Sequence, residues 1–238
     1  MGSVIFVIVV GIGIAGFLAW RSRVRNRQRQ TDLASLAAEL GLSFANAKDR
    51  YLHLRFPQIR TFSQGRKRIA SNTMTGSIAV RGAPLRLVMG DYTYTTGRGR
   101  NSRTHRISYL LLGLLYPDVP DLRIRDEHVF DRVSAAVGFD DIDFESAEFS
   151  RSFYVTGPDK RFAYDIVTPR MMEFLLKNQS WSPPLELAGG LLFVADPETL
   201  WDDDDFRDAL TYATRFLELW PDHLWHDVEK HKPHRVVN

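Results

Sequence analysis

The amino-acid sequence predicts an α+β fold: an N-terminal transmembrane helix followed by an antiparallel-sheet-rich cytoplasmic domain with several helices. Residues 4–20 carry no charged side chain, residues 51–116 alternate apolar and polar side chains between turns, and the rest mixes helical and strand patterns. The 238 residues are 44% hydrophobic and include no cysteine. This composition suits a sizeable core and excludes disulfides and thiolate chemistry.

The apolar run at residues 4–20 has the length of a membrane span. As a helix it is roughly 26 Å long at about 1.5 Å per residue, the lower end of what crosses a hydrocarbon core. Trp20 is expected at the interface. Five arginines follow, which we expect among lipid headgroups: Arg21, Arg23, Arg25, Arg27 and Arg29. They fix the topology with the N-terminus outside and could also bind anionic lipids.

The segment GIGIAG, residues 11–16, matches the G-x-G-x-x-G pattern of dinucleotide-binding proteins. That pattern requires a second apolar strand after the glycine turn, and the arginine-rich segment at this position cannot form one. The sequence therefore predicts no nucleotide site here. Gly11 and Ala15 have the spacing of small residues that pair helices in membranes, so an oligomer could form through them.

The sequence predicts that the chain has three parts. Residues 1–30 form an anchor and a basic juxtamembrane segment, residues 31–220 form one α+β domain with two lobes, and residues 221–238 form a His-rich tail. Thr31 or Asp32 is expected to cap a short helix that ends at Gly41.

The first lobe is predicted as an antiparallel meander because its runs are β-rich and separated by glycine turns. The predicted strands cover residues 52–56, 67–71, 77–81, 85–95 and 103–112. Residues 109–115 are too short for a second span and favour a central strand.

The second lobe is predicted to contain both helices and strands. Its predicted helices cover residues 125–137, 160–167, 168–177 and a final region from 197 to 220. Its predicted strands cover residues 141–145 and 153–155 and a hairpin turning at Gly189 and Gly190.

Six phrases together are distinctive across residues 1–195: LAAELGLSF after the apolar run, FSQGRKRIASNTMTG, GDYTYTTGRGR, LRIRDE, DIDFESAEFSRSFYVTG and LELAGGLLFV. In this combination the sequence resembles a family of uncharacterised bacterial single-pass membrane-anchored proteins that carry a domain of unknown function. The resemblance implies a location in the bacterial cytoplasmic membrane, and it supplies no activity or catalytic residue.

A basic loop between two predicted strands is a candidate anion-binding site. Its arginines are Arg98, Arg100, Arg103 and Arg106. If the meander brings them beside residues 66–68, which are also basic, they could hold a phosphate, a lipid headgroup or RNA. The alternative is a solvated loop tip. Nucleic-acid binding is disfavoured because the charge without the five juxtamembrane arginines is negative.

No metal ion or cofactor is predicted. The tail histidines could bind a metal but fit a frayed terminus better; they are His223, His226, His231 and His234. The acidic run at residues 202–205 is what the start of a helix favours. The carboxylates of residues 141–145 fit the wet face of a strand better than a calcium loop.

The sequence carries no complete catalytic motif. It therefore favours a non-catalytic, membrane-tethered binding or scaffold module that meets a protein partner or the membrane surface. The rival is an enzyme acting on a lipid or cell-envelope substrate. That rival requires a pocket in which groups such as Asp91, His105 and Arg106 converge.

Overall fold

The structure, a computed structural model, describes residues 2–115, 117–127, 141–197 and 199–225; for residues 2–15, 18 and 19 it describes the backbone alone. The helices are α1 Gly2–Glu39, α2 Leu52–Arg55, α3 Arg60–Ser63, α4 Ala147–Ser152, α5 Lys160–Ile166, α6 Pro169–Lys177 and α7 Asp203–Glu218. The strands are β1 Ser43–Ala45, β2 Arg66–Val80, β3 Ala83–Thr96, β4 Arg103–Gly113, β5 Leu122–Asp126, β6 Phe153–Thr156, β7 Leu185–Ala188 and β8 Leu191–Ala195.

The eight strands form one sheet in the order β1-β2-β3-β4-β8-β7-β5-β6, and each pairing is antiparallel. The α+β class and the β2-β3-β4 meander are therefore confirmed. The sheet has a core on each face. One core contains Leu87 and Met89 of β3 together with residues of α1 and α4–α7, whereas Tyr92 and Tyr94 belong to the other, which α2 and α3 cover.

Helix α1 differs most from the prediction, because it is continuous from Gly2 to Glu39. The predicted helix start at Thr31 or Asp32 is wrong: the Thr31 hydroxyl donates to the Arg27 carbonyl 3.1 Å away, one turn earlier in the same helix. Arginine and glutamine are good helix formers, so nothing between residues 21 and 30 ends the helix. Gly41 ends it as predicted, at φ +68°.

Across the described residues, no helix meets the length and hydropathy that a membrane crossing requires. The structure thus gives no support to the span predicted for residues 4–20, most of whose side chains lie outside the described part. Pairing through Gly11 and Ala15 stays a prediction for the same reason.

Four predicted strands differ from the structure. Residues 52–56 form a helical turn, and residues 67–71 and 77–80 belong to the single long strand β2. Residues 141–145 are not a strand: the Asp141 carboxylate accepts the Val155 N–H at 3.2 Å, and Ile142 alone makes a backbone bond to Val155. Of the predicted helix 125–137, residues 125 and 126 belong to strand β5 instead. Residues 128–137 of that helix lie outside the described residues.

Candidate functional site: the basic end of the sheet

Two basic segments meet where strands β2, β3 and β4 end together. Arg66 at the start of β2 lies opposite Thr95 of β3, and Thr96 lies opposite Arg103 at the start of β4. The Arg66 guanidinium donates to the Gly97 carbonyl, so β2 is joined directly to the β3–β4 loop. The two basic turns therefore lie at one end of the sheet, which is the condition that the sequence set for an anion-binding site there. We call this group the basic end: Arg66, Lys67, Arg68, Arg98, Arg100 and Arg103.

Two glycines shape the loop of the basic end. Gly97 and Gly99 have φ of +68° and +56°, and a Cβ at Gly97 would lie 2.2 Å from the Asn101 carbonyl oxygen. Only glycine fits such a conformation with the backbone so close. The loop therefore turns tightly and leaves the side chains of Arg98 and Arg100 exposed to solvent. The fourth predicted loop residue, Arg106, is also exposed, but it lies further along β4, opposite Thr93.

Helix α1 runs antiparallel to β3 and points its N-terminal half towards the basic end. Arg29 contacts Asp91, whereas Leu42, just after the helix, packs against Gly76, which lies opposite Leu87. From Leu42 to Arg29 the helix therefore passes from the level of Leu87 to that of Asp91 on β3, and its N-terminal half leads on towards the end of β3 that belongs to the basic end.

The described side chains along this half of α1 are open to solvent. Trp20 is 60% exposed and Val24 48%. Four of the five arginines are exposed as well: Arg21, Arg23, Arg25 and Arg27. An interfacial tryptophan followed by exposed arginines is the arrangement that a membrane surface favours.

Arg29 differs from those four arginines because it faces the domain. Its guanidinium donates to both carboxylate oxygens of Asp91, at 2.8 and 2.6 Å, to the Trp201 carbonyl at 2.8 Å and to the Ser108 hydroxyl at 3.2 Å. Burial alone would lower the pKa of Arg29, but the hydrogen bond and charge of Asp91 outweigh it and raise that pKa. The predicted headgroup position of Arg29 is therefore corrected: its charge is paired within the domain.

Asp91 is the centre of a wider polar cluster. Its carboxylate also accepts the Asn72 side-chain amide at 2.8 Å and the Ser108 hydroxyl at 2.9 Å, and Ser108 in turn accepts the Trp201 N–H at 2.9 Å. We call this set the Arg29 cluster: Arg29, Asn72, Asp91, Ser108 and the backbone of Trp201. Sequence reasoning missed it, although Asp91 and Ser108 stand out as polar side chains on the inward positions of apolar strands.

The three residues that the rival enzyme hypothesis names are not brought together. Asp91 lies on the face covered by α1, whereas His105 lies on the opposite face, stacked on Tyr94 with 4.8 Å between ring centroids. The His105 ring nitrogen also pairs with the Thr96 hydroxyl at 2.8 Å. Asp91, His105 and Arg106 therefore form no common pocket.

The candidate metal ligands form no metal site among the described residues. No group of three or more potential ligands could hold a metal ion within residues 2–115, 117–127, 141–197 and 199–225. Asp202 and Asp205 cap α7. Of the tail histidines, His226, His231 and His234 lie outside the described residues.

No family model and no curated protein matches the chain. Among solved structures, it is similar to the crystal structure of the mycobacterial trehalose monomycolate transport factor A, TtfA, with a TM-score of 0.54 and 14% sequence identity. The match covers 82% of this chain and 97% of that chain. At this identity the likeness concerns the fold, and the resemblance to a family of uncharacterised membrane-anchored proteins stays a prediction.

Proposed function

We propose that this protein is a membrane-tethered, non-catalytic module that assists the movement of cell-envelope lipids. Residues 4–20 cross the bacterial cytoplasmic membrane, and the α+β domain lies on the cytoplasmic side. There the domain docks its basic end on anionic headgroups and presents its remaining surface to a protein partner.

The observation that carries the proposal is the group of exposed cations at the basic end, the end of the sheet towards which the N-terminal half of α1 leads. A tether alone would need only the arginines of the helix. A second set of exposed cations, at the end of the sheet towards which the helix leads, gives the domain a headgroup-facing surface. Each basic residue near an anionic surface contributes about 1 kcal/mol.

The role in lipid movement is supported by the fold. A mycobacterial protein with a similar fold is a trehalose monomycolate transport factor. Binding is favoured over chemistry because Asp91 and His105 lie on opposite faces of the sheet.

A depth measurement on the full chain in lipid bilayers tests the docking step. Because the chain has no cysteine, Ser102→Cys gives a single spin label beside the basic end. With anionic lipid present, we expect the label to be accessible to dissolved oxygen and to a water-soluble metal complex to the degree that is typical of the headgroup layer. The triple variant Arg98→Glu, Arg100→Glu and Arg103→Glu is expected to return the label to the accessibility of water.

The matched control reverses three exposed cations on α5 and α6: Lys160→Glu, Arg161→Glu and Arg170→Glu. It changes the net charge equally and is expected to leave the label at headgroup depth. A label with the accessibility of water in the native chain would contradict docking. A periplasmic signal from a reporter fused to the C-terminus would overturn the topology.

The accessory role needs a different experiment. Affinity capture of the detergent-solubilised full-length chain, with proteins and lipids identified by mass spectrometry, is expected to recover a membrane protein that handles envelope lipids. Recovery of neither such a protein nor its lipid would contradict the role in lipid movement while leaving the docking result intact.

A further inference from the structure

The Arg29 cluster lies at the point where helix α1 leaves the domain. Towards the C-terminus, Leu33, Leu36 and Ala37 are buried in the core. Towards the N-terminus, the described side chains up to residue 28 are exposed. Among the described side chains of α1, Arg29 is thus the first that makes a polar contact with the sheet, and the direction of the N-terminal half of the helix depends on how Arg29 is held.

The contacts of Arg29 fix the orientation of its guanidinium as well as its distance from Asp91. A guanidinium that donates two parallel bonds to one carboxylate fixes the orientation of the plane as well as the separation. Its third and fourth contacts reach different parts of the chain: the Trp201 carbonyl just before α7 and the Ser108 hydroxyl on β4. Bonds to β3, β4 and the start of α7 together restrict both the roll and the tilt of α1.

The acceptor side of the cluster is also held in place by contacts that do not involve α1. Asn72 lies where the β2–β3 register shifts, in a left-handed conformation with φ +50°, and its amide holds one Asp91 oxygen. Gly90 permits this bulge, because a Cβ there would lie 2.8 Å from the Asn72 carbonyl oxygen and 3.0 Å from the Thr73 Cα. Asn72 in a left-handed conformation and Gly90 without room for a side chain together form a bulge, and this bulge positions the Asp91 carboxylate.

We infer that Arg29 is a positioning residue that sets the direction of α1 relative to the sheet. Through that direction it sets the height of the basic end above the bilayer. The second step rests on the proposed function. The first step concerns the protein alone.

The test measures the distance between two spin labels on the full chain in detergent. The labels replace Val24 on α1 and Ser102 at the basic end, as Val24→Cys and Ser102→Cys; both sites are exposed. With Arg29 intact we expect one narrow distance distribution. Arg29→Gln is expected to lose that narrow peak, because the N-terminal half of α1 then tilts and rolls against the sheet.

Two further variants separate positioning from general structural damage. Arg29→Lys keeps the positive charge but replaces the planar fork by a point charge, so it too is expected to lose the narrow peak while the domain stays folded. Arg27→Gln removes an exposed arginine two residues earlier and is expected to keep the narrow peak. Near-ultraviolet circular dichroism reports whether the core is intact in each variant.

A narrow, unshifted distribution in folded Arg29→Lys and Arg29→Gln would overturn the inference. If Arg29→Gln does not fold, the result for Arg29→Lys decides. The outcome is independent of the docking experiment: loss of the narrow peak supports positioning even if the basic end never touches lipid. With docking established, the Ser102 label in Arg29→Lys is expected to leave headgroup depth although every residue of the basic end is present.

Discussion

Asp202 and Asp205 cap helix α7 reciprocally. The Asp202 carboxylate accepts the N–H groups of Asp204 and Asp205, both at 3.0 Å, and the Asp205 carboxylate accepts the Asp202 N–H at 2.9 Å. The acidic run that imitates a cation site in the sequence is therefore a capping box, reinforced by the favourable interaction of negative charge with a helix N-terminus.

Replacing the cap is expected to destabilise the domain. Asp202→Ala leaves the first N–H groups of α7 without their acceptor and should lower the free energy of unfolding by about 1 kcal/mol. Chemical denaturation measures this, with Asp208→Ala, an exposed position within α7, as the control. Added calcium is expected to leave the midpoint of both variants unchanged; a calcium-dependent rise would show that the acids bind the cation.

Asp203 is expected to make stability fall as pH rises. Burial, and next the charge of Asp32, raise the pKa of Asp203 in the folded protein. A raised folded pKa means that the folded state holds this proton more tightly than the unfolded state, so stability is lost as pH rises from the ordinary carboxyl pKa through the folded value. Asp203→Asn should therefore melt at a higher temperature than the native chain at neutral pH, and the difference should vanish in acid. An equal difference at every pH would contradict this, and Asp208→Asn is the matched control.

Gly90 is expected to tolerate no side chain. In Gly90→Ala the new methyl group would meet backbone atoms of Ser71, Asn72 and Thr73 within 3.1 Å, and backbone cannot move as a flexible side chain can. We expect a loss of about 2 kcal/mol in the free energy of unfolding, in the range of overpacked sites. Gly113→Ala is the control, because its nearest neighbour would be the Arg86 Cβ at an ordinary 3.6 Å. Equal stability of the two variants would contradict the close packing at the bulge.

Docking of the basic end on anionic headgroups is expected to depend on salt concentration, whereas insertion of residues 4–20 into the bilayer is not. Raising the ionic strength from 0.1 to 1 M shortens the screening length from about 10 to about 3 Å, which weakens exposed charge interactions. The spin label at Ser102 should therefore leave headgroup depth at high salt while the chain stays in the bilayer through its apolar segment. A depth that does not change with salt would indicate apolar rather than electrostatic contact.

Elements with local signals could be predicted from the sequence. Helix α6 begins at Thr168 and Pro169 as expected, with the Thr168 hydroxyl accepting the Met171 N–H. The β7–β8 hairpin turns at Gly189 and Gly190, both at positive φ. Each of these depends on a few neighbouring residues whose chemistry dictates the backbone conformation.

The Arg29 cluster could not be predicted in the same way, because its members come from distant parts of the chain. Arg29 and Asp91 are 62 positions apart, and Arg29 and Trp201 are 172. The sequence shows five alternating arginines as equivalent. Only the packing of α1 on the sheet distinguishes the last one from the other four. The meeting of the two basic turns at the basic end follows from the antiparallel pairing of β2, β3 and β4, because a meander returns alternate strand ends to one edge of the sheet. It could therefore be predicted to the same extent as that pairing.

The unbroken course of α1 also limits where the domain can search for a partner. A disordered linker of ten residues would let a tethered domain explore a radius of about 17 Å. Through a continuous helix from Gly2 to Glu39, a bilayer would instead let the domain change its height only as the whole helix tilts. A partner must then offer its complementary surface within that narrow range of heights, so encounter is governed by diffusion in the plane of the membrane rather than by the reach of the chain.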